Sequence, residues 1–136
     1  MSESSCHIEL VKRVLNYVKT VVDPSFHDLI EVDDSVSNQP SRIVGNYIPD
    51  VYFFYDKRLI LGEAKTLDDF DRKHSQEQFA AYLKECSSYG ELGMIVVAVP
   101  WALVNTAKNL FRRKKKEMGS LMKIVVLDDI GGIFVL

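Results

Sequence analysis

Three short stretches of this chain carry residue types able to do chemistry together: Pro49-Asp50, Glu63-Ala64-Lys65, and the pair Gln78 and Tyr82. Side chains on a strand alternate between faces. Glu63 and Lys65 therefore point one way and Ala64 points back into the domain. Asp50 begins the adjacent strand, across a short hairpin. Two carboxylates brought together repel, and one takes up a proton unless a cation compensates. Mg²⁺ or Mn²⁺ compensates with hard oxygen ligands. Asp50 and Glu63 are the expected metal ligands, with the backbone carbonyl of Ala64 as a third. Lys65 would orient or deprotonate a water, or stabilise charge building on a phosphate. The chemistry is phosphodiester hydrolysis by an activated water.

Positioning such groups requires strands and helices that agree with them. Residues 5–22 carry Ile8, Val11, Leu15, Val18 and Val22 at helical spacing, with a second stripe of Leu10, Val14, Tyr17 and Val21. A helix apolar on two sides is buried deeply or shared with a second subunit. Asp23-Pro24 ends it. A short strand is expected at 29–32, a polar loop at 33–41 and more extended chain at 42–47. The β-branched and aromatic run 51–55 and the apolar run 59–65 form a hairpin about Asp56-Lys57-Arg58. A helix is expected over 75–89, stopped by Gly90. The continuous apolar run 94–99 suits a strand buried on both faces. Pro100 opens a further helix that ends near Gly119, and strands follow at 122–127 and 133–136. Strands reached through helical crossovers join in parallel. The expected class is α/β, a single domain over 1–136 with a mixed central sheet flanked by helices.

Composition narrows the class further. Nearly half the residues are apolar and about a quarter charged, with a net charge of −2, as in ordinary folded domains. The chain lacks a global basic signal for nucleic acid. Acids concentrate between 23 and 71, whereas Lys108, Arg112, Arg113, Lys114, Lys115 and Lys116 form a stretch free of acids. Two scattered cysteines, Cys6 and Cys86, make no zinc or iron–sulfur set and fit a reduced intracellular protein. No apolar run approaches the ~20 residues of a membrane span, and no signal sequence is visible. A cytoplasmic location and no membrane partner are expected.

Pro49-Asp50, Glu63-Ala64-Lys65 and the helix–hairpin–helix–strand order resemble the PD-(D/E)xK, or restriction-endonuclease-like, nuclease superfamily. Gln78-Phe79-Ala80-Ala81-Tyr82 resembles the QxxxY motif of its RecB-like branch, and the Glu-x-Lys strand followed by a Gln helix is similar to the N-terminal part of type I restriction motor subunits. The resemblance runs from the first helix to about Val99. It implies an αβββαβ core, here with an added C-terminal helix and strands. It also implies a Mg²⁺- or Mn²⁺-dependent deoxyribonuclease. Asp50 and Glu63 would bind the metal, Lys65 would be the catalytic lysine, and Gln78 and Tyr82 would position Lys65 or the DNA backbone. Glu9 matches the place where many relatives keep an additional acidic metal ligand. This chain lacks the cysteine quartet of Cas4-type relatives, and their upstream histidine motif has no clear counterpart beyond His7.

Each of these residues also has a plainer reading. Asp71-Arg72-Lys73 repeats the acid-x-cation pattern in a polar loop, where it is accidental. Charges at the end of a buried strand, as at Glu63 and Lys65, are costly without a purpose. An acid such as Glu9 near a helix start favours the dipole, and so do cations such as Arg112, Arg113, Lys114, Lys115 and Lys116 near a helix end; phosphate contact is the alternative for that basic run. Tyr82 also fits a core stripe, His74 a surface, and Trp101 a core corner. His7 and His27 show no ligand spacing. DNA is the expected partner, and a symmetric homodimer is allowed by the doubly apolar first helix. The competing functions are a catalytically inactive nuclease-fold module for DNA binding or assembly, and a small interaction domain in which the charged strand end is a structural ion pair.

Overall fold

A computed structural model describes residues 4–33 and 43–136. The first helix, α1 (Ser5–Val21), starts where the Ser4 hydroxyl accepts the His7 N–H, a side-chain cap for an otherwise orphaned amide. Leu10, Val14 and Val18 are its buried residues, each one turn from the next. Val11, Leu15, Tyr17 and Val21 flank them, partly buried. The two apolar stripes thus merge into one wide face lying on the sheet, which is the deep-burial branch of the expectation. Beyond α1, Pro24–Leu29 forms a 3₁₀ turn. There His27 Nε2 meets the Lys19 and Val22 carbonyls at 3.0 and 2.9 Å, so His27 serves the helix end.

The remaining elements are β1 (Glu31–Val32), β2 (Val51–Tyr55), β3 (Arg58–Ala64), α2 (Lys73–Ser87), β4 (Gly93–Ala98), α3 (Val104–Met118), β5 (Lys123–Leu127) and β6 (Ile133–Val135). The six strands lie in one mixed sheet in chain order. β1 pairs with β2 and β2 with β3 antiparallel; β3, β4 and β5 are mutually parallel through α2 and α3; β6 returns antiparallel. The α/β class and the mixed sheet are as expected. Strand β1 is shorter than expected because a 3₁₀ turn takes up the preceding residues. The polar loop at 33–41 lies outside the described residues apart from Asp33. Of the extended chain expected at 42–47, Arg42 lies outside the described residues, and from Ile43 on the chain turns tightly, with Val44 bridged to Tyr47. Helix α2 starts two residues earlier than expected, which brings Ser75 and Gln78 into its buried face. Among the described residues no helix is long and apolar enough to cross a membrane.

Two layers of apolar side chains sandwich the sheet. Leu10, Val14, Val18 and Val22 pack on Val51, Phe53, Ile60 and Ala64 on one face. Phe79, Tyr82, Leu83 and Cys86 of α2, with Ala107 and Phe111 of α3, pack on Leu59, Leu61, Ile95, Val97 and Ile124 on the other. The period-two alternation of β3 is thereby fixed: odd positions face α2 and even positions face α1. The hairpin turn is two residues, Asp56 and Lys57, with φ of 50° and 66°, as a type I′ turn requires. It sets Tyr55 opposite Arg58 and Val51 opposite Gly62. At Gly62 helix α1 comes so close that a Cβ would collide with Val14 Cγ1 and sit 3.1 Å from Val51 Cβ.

Gly62→Ala is therefore expected to lower stability by about 1–3 kcal/mol, the usual cost of forcing a methyl into a filled core. Urea denaturation of the two proteins measures it.

Candidate active site

The antiparallel hairpin brings the start of β2 and the end of β3 to one edge of the sheet. Asp50 lies one residue before the Val51–Gly62 pair, which sets it across from Glu63. Its Oδ2 accepts the Ala64 N–H at 2.8 Å, and its own carbonyl accepts the Asp33 N–H at 2.9 Å. One backbone N–H therefore holds the carboxylate and another holds the Asp50 main chain. His7, in the first turn of α1, places Nε2 at 3.4 Å from the same Oδ2. The far end of β3 is anchored by the Lys65 N–H, which donates to the Ala98 carbonyl at 3.0 Å.

Asp50, Glu63 and Lys65 are 6, 4 and 8% exposed, so three ionisable groups share a nearly dry pocket. Lys65 Nζ lies 3.9 Å from Glu63 Oε1 and donates to Gln78 Oε1 in a short hydrogen bond. Glu63 Oε2 is buried and, with both carboxylates ionised, has no hydrogen-bond donor. Burial pushes the Glu63 carboxyl well above its ordinary pKa of 4.5. The Asp50 charge adds to this, as does a hydrogen bond to Asp50 that a protonated Glu63 makes; Lys65 opposes it. The fully buried Tyr82 hydroxyl faces Glu63 and Gln78. Burial first, then the Glu63 charge, raise its pKa far beyond the ordinary tyrosine value, so it stays a neutral hydroxyl. Burial beside a second carboxylate thus favours the protonated form of Glu63, and in a metal-binding reading a divalent cation would take the place of that proton.

Asp50, Glu63, Lys65, Gln78 and Tyr82, expected to work together, are brought together. Other expectations are corrected. Glu9 points away: its side chain is 70% exposed and pairs with Lys12 at 3.2 Å, because position 9 falls on the solvent side of α1. Ala64 donates its backbone N–H to Asp50 Oδ2, a contact made by its amide and not by the carbonyl expected as a ligand. Arg112, Arg113, Lys114, Lys115 and Lys116 lie near the end of α3, which starts at the site's edge and runs away from it. At about 1.5 Å per residue they sit roughly 12–18 Å along the axis from its start. Arg113 is 3.8 Å from Glu117, and Lys115 Nζ donates to the Leu136 carbonyl at 3.2 Å. His74 is an exposed residue whose ring edge meets Tyr47. Trp101, expected in the core, is 64% exposed. Asp71 and Lys73 stay outside the cluster, with Lys73 3.9 Å from Glu77.

His7 is the site residue that spacing did not single out. Its signal was the buried stripe of α1 itself: Leu10, Val14 and Val18 continue one turn back to position 7. Both cysteines are free, Cys6 exposed and Cys86 buried, and burial pushes the Cys86 thiol up to about 12, which leaves it inert. Among the described residues no group of three or more His, Cys, Asp or Glu side chains is gathered to hold a metal. The acidic donor set is therefore the two carboxylates Asp50 and Glu63. That set suits Mg²⁺, which is commonly held by one or two carboxylates with water and substrate oxygens completing the shell. It does not suit a closed structural metal site. No family model, curated protein or solved structure matches the chain.

The raised Glu63 pKa has a stability consequence with a definite sign. The folded state holds the proton more tightly than the unfolded chain, so its contribution is fully present below pH 4.5 and is lost as pH rises toward the folded pKa. In chelator, wild-type stability should fall across that window by up to ~1.4 kcal/mol per pH unit. Glu63→Gln should flatten the fall and exceed wild type at neutral pH, as denaturant melts over a pH series will show.

Proposed function

We propose that the protein is a Mg²⁺-dependent deoxyribonuclease of the PD-(D/E)xK superfamily that hydrolyses phosphodiester bonds in DNA. The observation that carries this reading is the pair of buried carboxyl groups on adjacent strand ends, Asp50 and Glu63, with Glu63 Oε2 lacking a donor beside a lysine held by Gln78. The element order α1-β1-β2-β3-α2-β4 supports it, since it is the αβββαβ order of that core. Restriction-endonuclease-like is accordingly the finer fold assignment we favour.

In this reading Asp50 and Glu63 hold the cation. Mg²⁺ bound there supplies Lewis-acid polarisation of a phosphoryl oxygen. The chain's own groups do the rest. Gln78 takes one of the three Lys65 donors, which fixes the ammonium and leaves others for a non-bridging phosphate oxygen. Its placement in a pocket of low dielectric makes that charge count for more than it would in water. The neutral Tyr82 hydroxyl borders Glu63 and limits its rotation. His7 backs Asp50 from the opposite face of the sheet. A purely structural ion pair accounts less well for the cluster. Buried pairs repay desolvation only when their remaining lone pairs are satisfied, and here the Glu63–Lys65 separation is 3.9 Å with one oxygen unserved.

Plasmid and linear DNA incubated with Mg²⁺, Mn²⁺ or chelator test the reading; cleavage is expected only with metal. Lys65→Ala should slow cleavage by about 10²–10³-fold, the scale of a lost charge-stabilising donor, and largely spare DNA binding. Mg²⁺ should also raise the melting temperature of wild type by mass action and leave that of Asp50→Asn unchanged. DNA binding with neither cleavage nor a Mg²⁺ effect would instead identify the inactive module.

A further inference from the structure

A groove of about 1080 Å³ opens at the same sheet edge, walled by His7, by Leu67 and Arg72 after β3, and by Pro100 and Trp101 after β4. It lies beyond the carboxyl ends of parallel strands, where open α/β sheets take ligands. His7 joins it to the carboxylate cluster, since the same imidazole lies 3.4 Å from Asp50.

Trp101 is the notable wall. Its backbone is fixed: the N–H donates to Asp129 Oδ1 at 2.9 Å, and the Pro100 carbonyl accepts the Leu103 N–H at 2.9 Å. Its indole is nonetheless 64% exposed, and Leu67 is 57% exposed. A large aromatic face left uncovered on a fixed backbone suits a flat, apolar occupant. The charged groups on the walls do not favour a phosphate. Asp68, Asp69 and Asp129 line the groove against the single Arg72 guanidinium. Asp69 is tied to the Thr66 hydroxyl at 3.0 Å and lies 3.8 Å from Arg72. The groove thus accepts the uncharged part of a nucleotide, while its phosphate reaches the cation site.

We propose that Trp101 stacks on a nucleobase next to the scissile phosphate, so that the enzyme selects an unpaired DNA strand over an intact duplex. This rests on the nuclease reading above. A duplex keeps its bases stacked inside and presents phosphates, whereas a single strand can lay a base on an exposed aromatic ring. Trp101 is a specificity-determining residue here and takes no part in the bond-breaking step.

Trp101 is also the only tryptophan in the chain, so intrinsic fluorescence reports its environment alone. The cleavage-impaired Lys65→Ala protein in Mg²⁺ would be titrated with a short oligodeoxythymidylate and with a blunt duplex of the same length. Saturable quenching by the single strand, with little by the duplex, is expected. By anisotropy of a labelled oligodeoxythymidylate, adding Trp101→Ala should weaken binding roughly 5- to 150-fold, and Trp101→Phe should recover most of the loss. Single-strand binding with fluorescence unmoved and Trp101→Ala affinity unchanged would overturn the stacking and leave the nuclease reading intact. Quenching without metal-dependent cleavage by wild type would retain the stacking and sink the nuclease reading. Absence of both binding and quenching would overturn the stacking as well.

Discussion

Two carboxyl groups that repel each other are held close enough to share a proton, and the site's chemistry depends on that constraint. Asp50 cannot swing away, because the Ala64 N–H holds Oδ2 at 2.8 Å and Asp33 holds its carbonyl. Glu63 is almost closed off from bulk water beneath Gln78 and Tyr82 of α2. Leaving the pair uncompensated costs more than a surface ion pair returns. Burial beside Asp50 therefore favours the protonated form of Glu63. A cation bound there, as proposed, would displace that proton, so its affinity would rise with pH.

The fold imposes this arrangement through register. A slip of one residue in a hairpin moves every side chain to the other face. Here that would send Glu63 and Lys65 under α1 and bring Ala64 to the α2 side. Two features prevent it. The two-residue turn at Asp56 and Lys57, both at positive φ, allows one pairing. At Gly62 helix α1 lies so close that Val14 occupies the space a side chain would need. The parallel pairing of β3 with β4 then fixes the strand end, since Lys65 N–H and Ala98 carbonyl meet at 3.0 Å.

The sequence made most of this legible where a local pattern and a global constraint agree. Strand alternation predicted that Glu63 and Lys65 share a face, and the continuous apolar run before Pro100 predicted β4. Legibility failed where tertiary context decides. Glu9 and His7 both sit in the first turns of one helix, and the family resemblance favoured Glu9. Rotation of α1 on the sheet, set by Leu10, Val14 and Val18, turns Glu9 to solvent and His7 to the site. Trp101 was expected inside because tryptophan is usually well buried. A 3₁₀ turn ahead of α3 places it on the rim instead. The segment at 43–47 folds into a tight turn about Gly45 at positive φ, which no hydrophobic period signals.

The basic run on α3 shows how charge sequence and charge position separate. Five cations in a row suggest a phosphate surface. Yet a crossover helix must start at the carboxyl end of one parallel strand and finish at the amino end of the next. Chain topology therefore carries Arg112, Arg113, Lys114, Lys115 and Lys116 toward the opposite edge from Asp50 and Glu63. What surrounds the carboxylates instead is acidic, and the net charge of −2 adds no general attraction. In the proposed reading, a polyanion approaching this edge would meet repulsion until a divalent cation reversed the local sign. Metal and substrate affinity at such a site are consequently coupled, and the uncharged contacts offered by Trp101 and Leu67 are those that do not depend on the sign of the field.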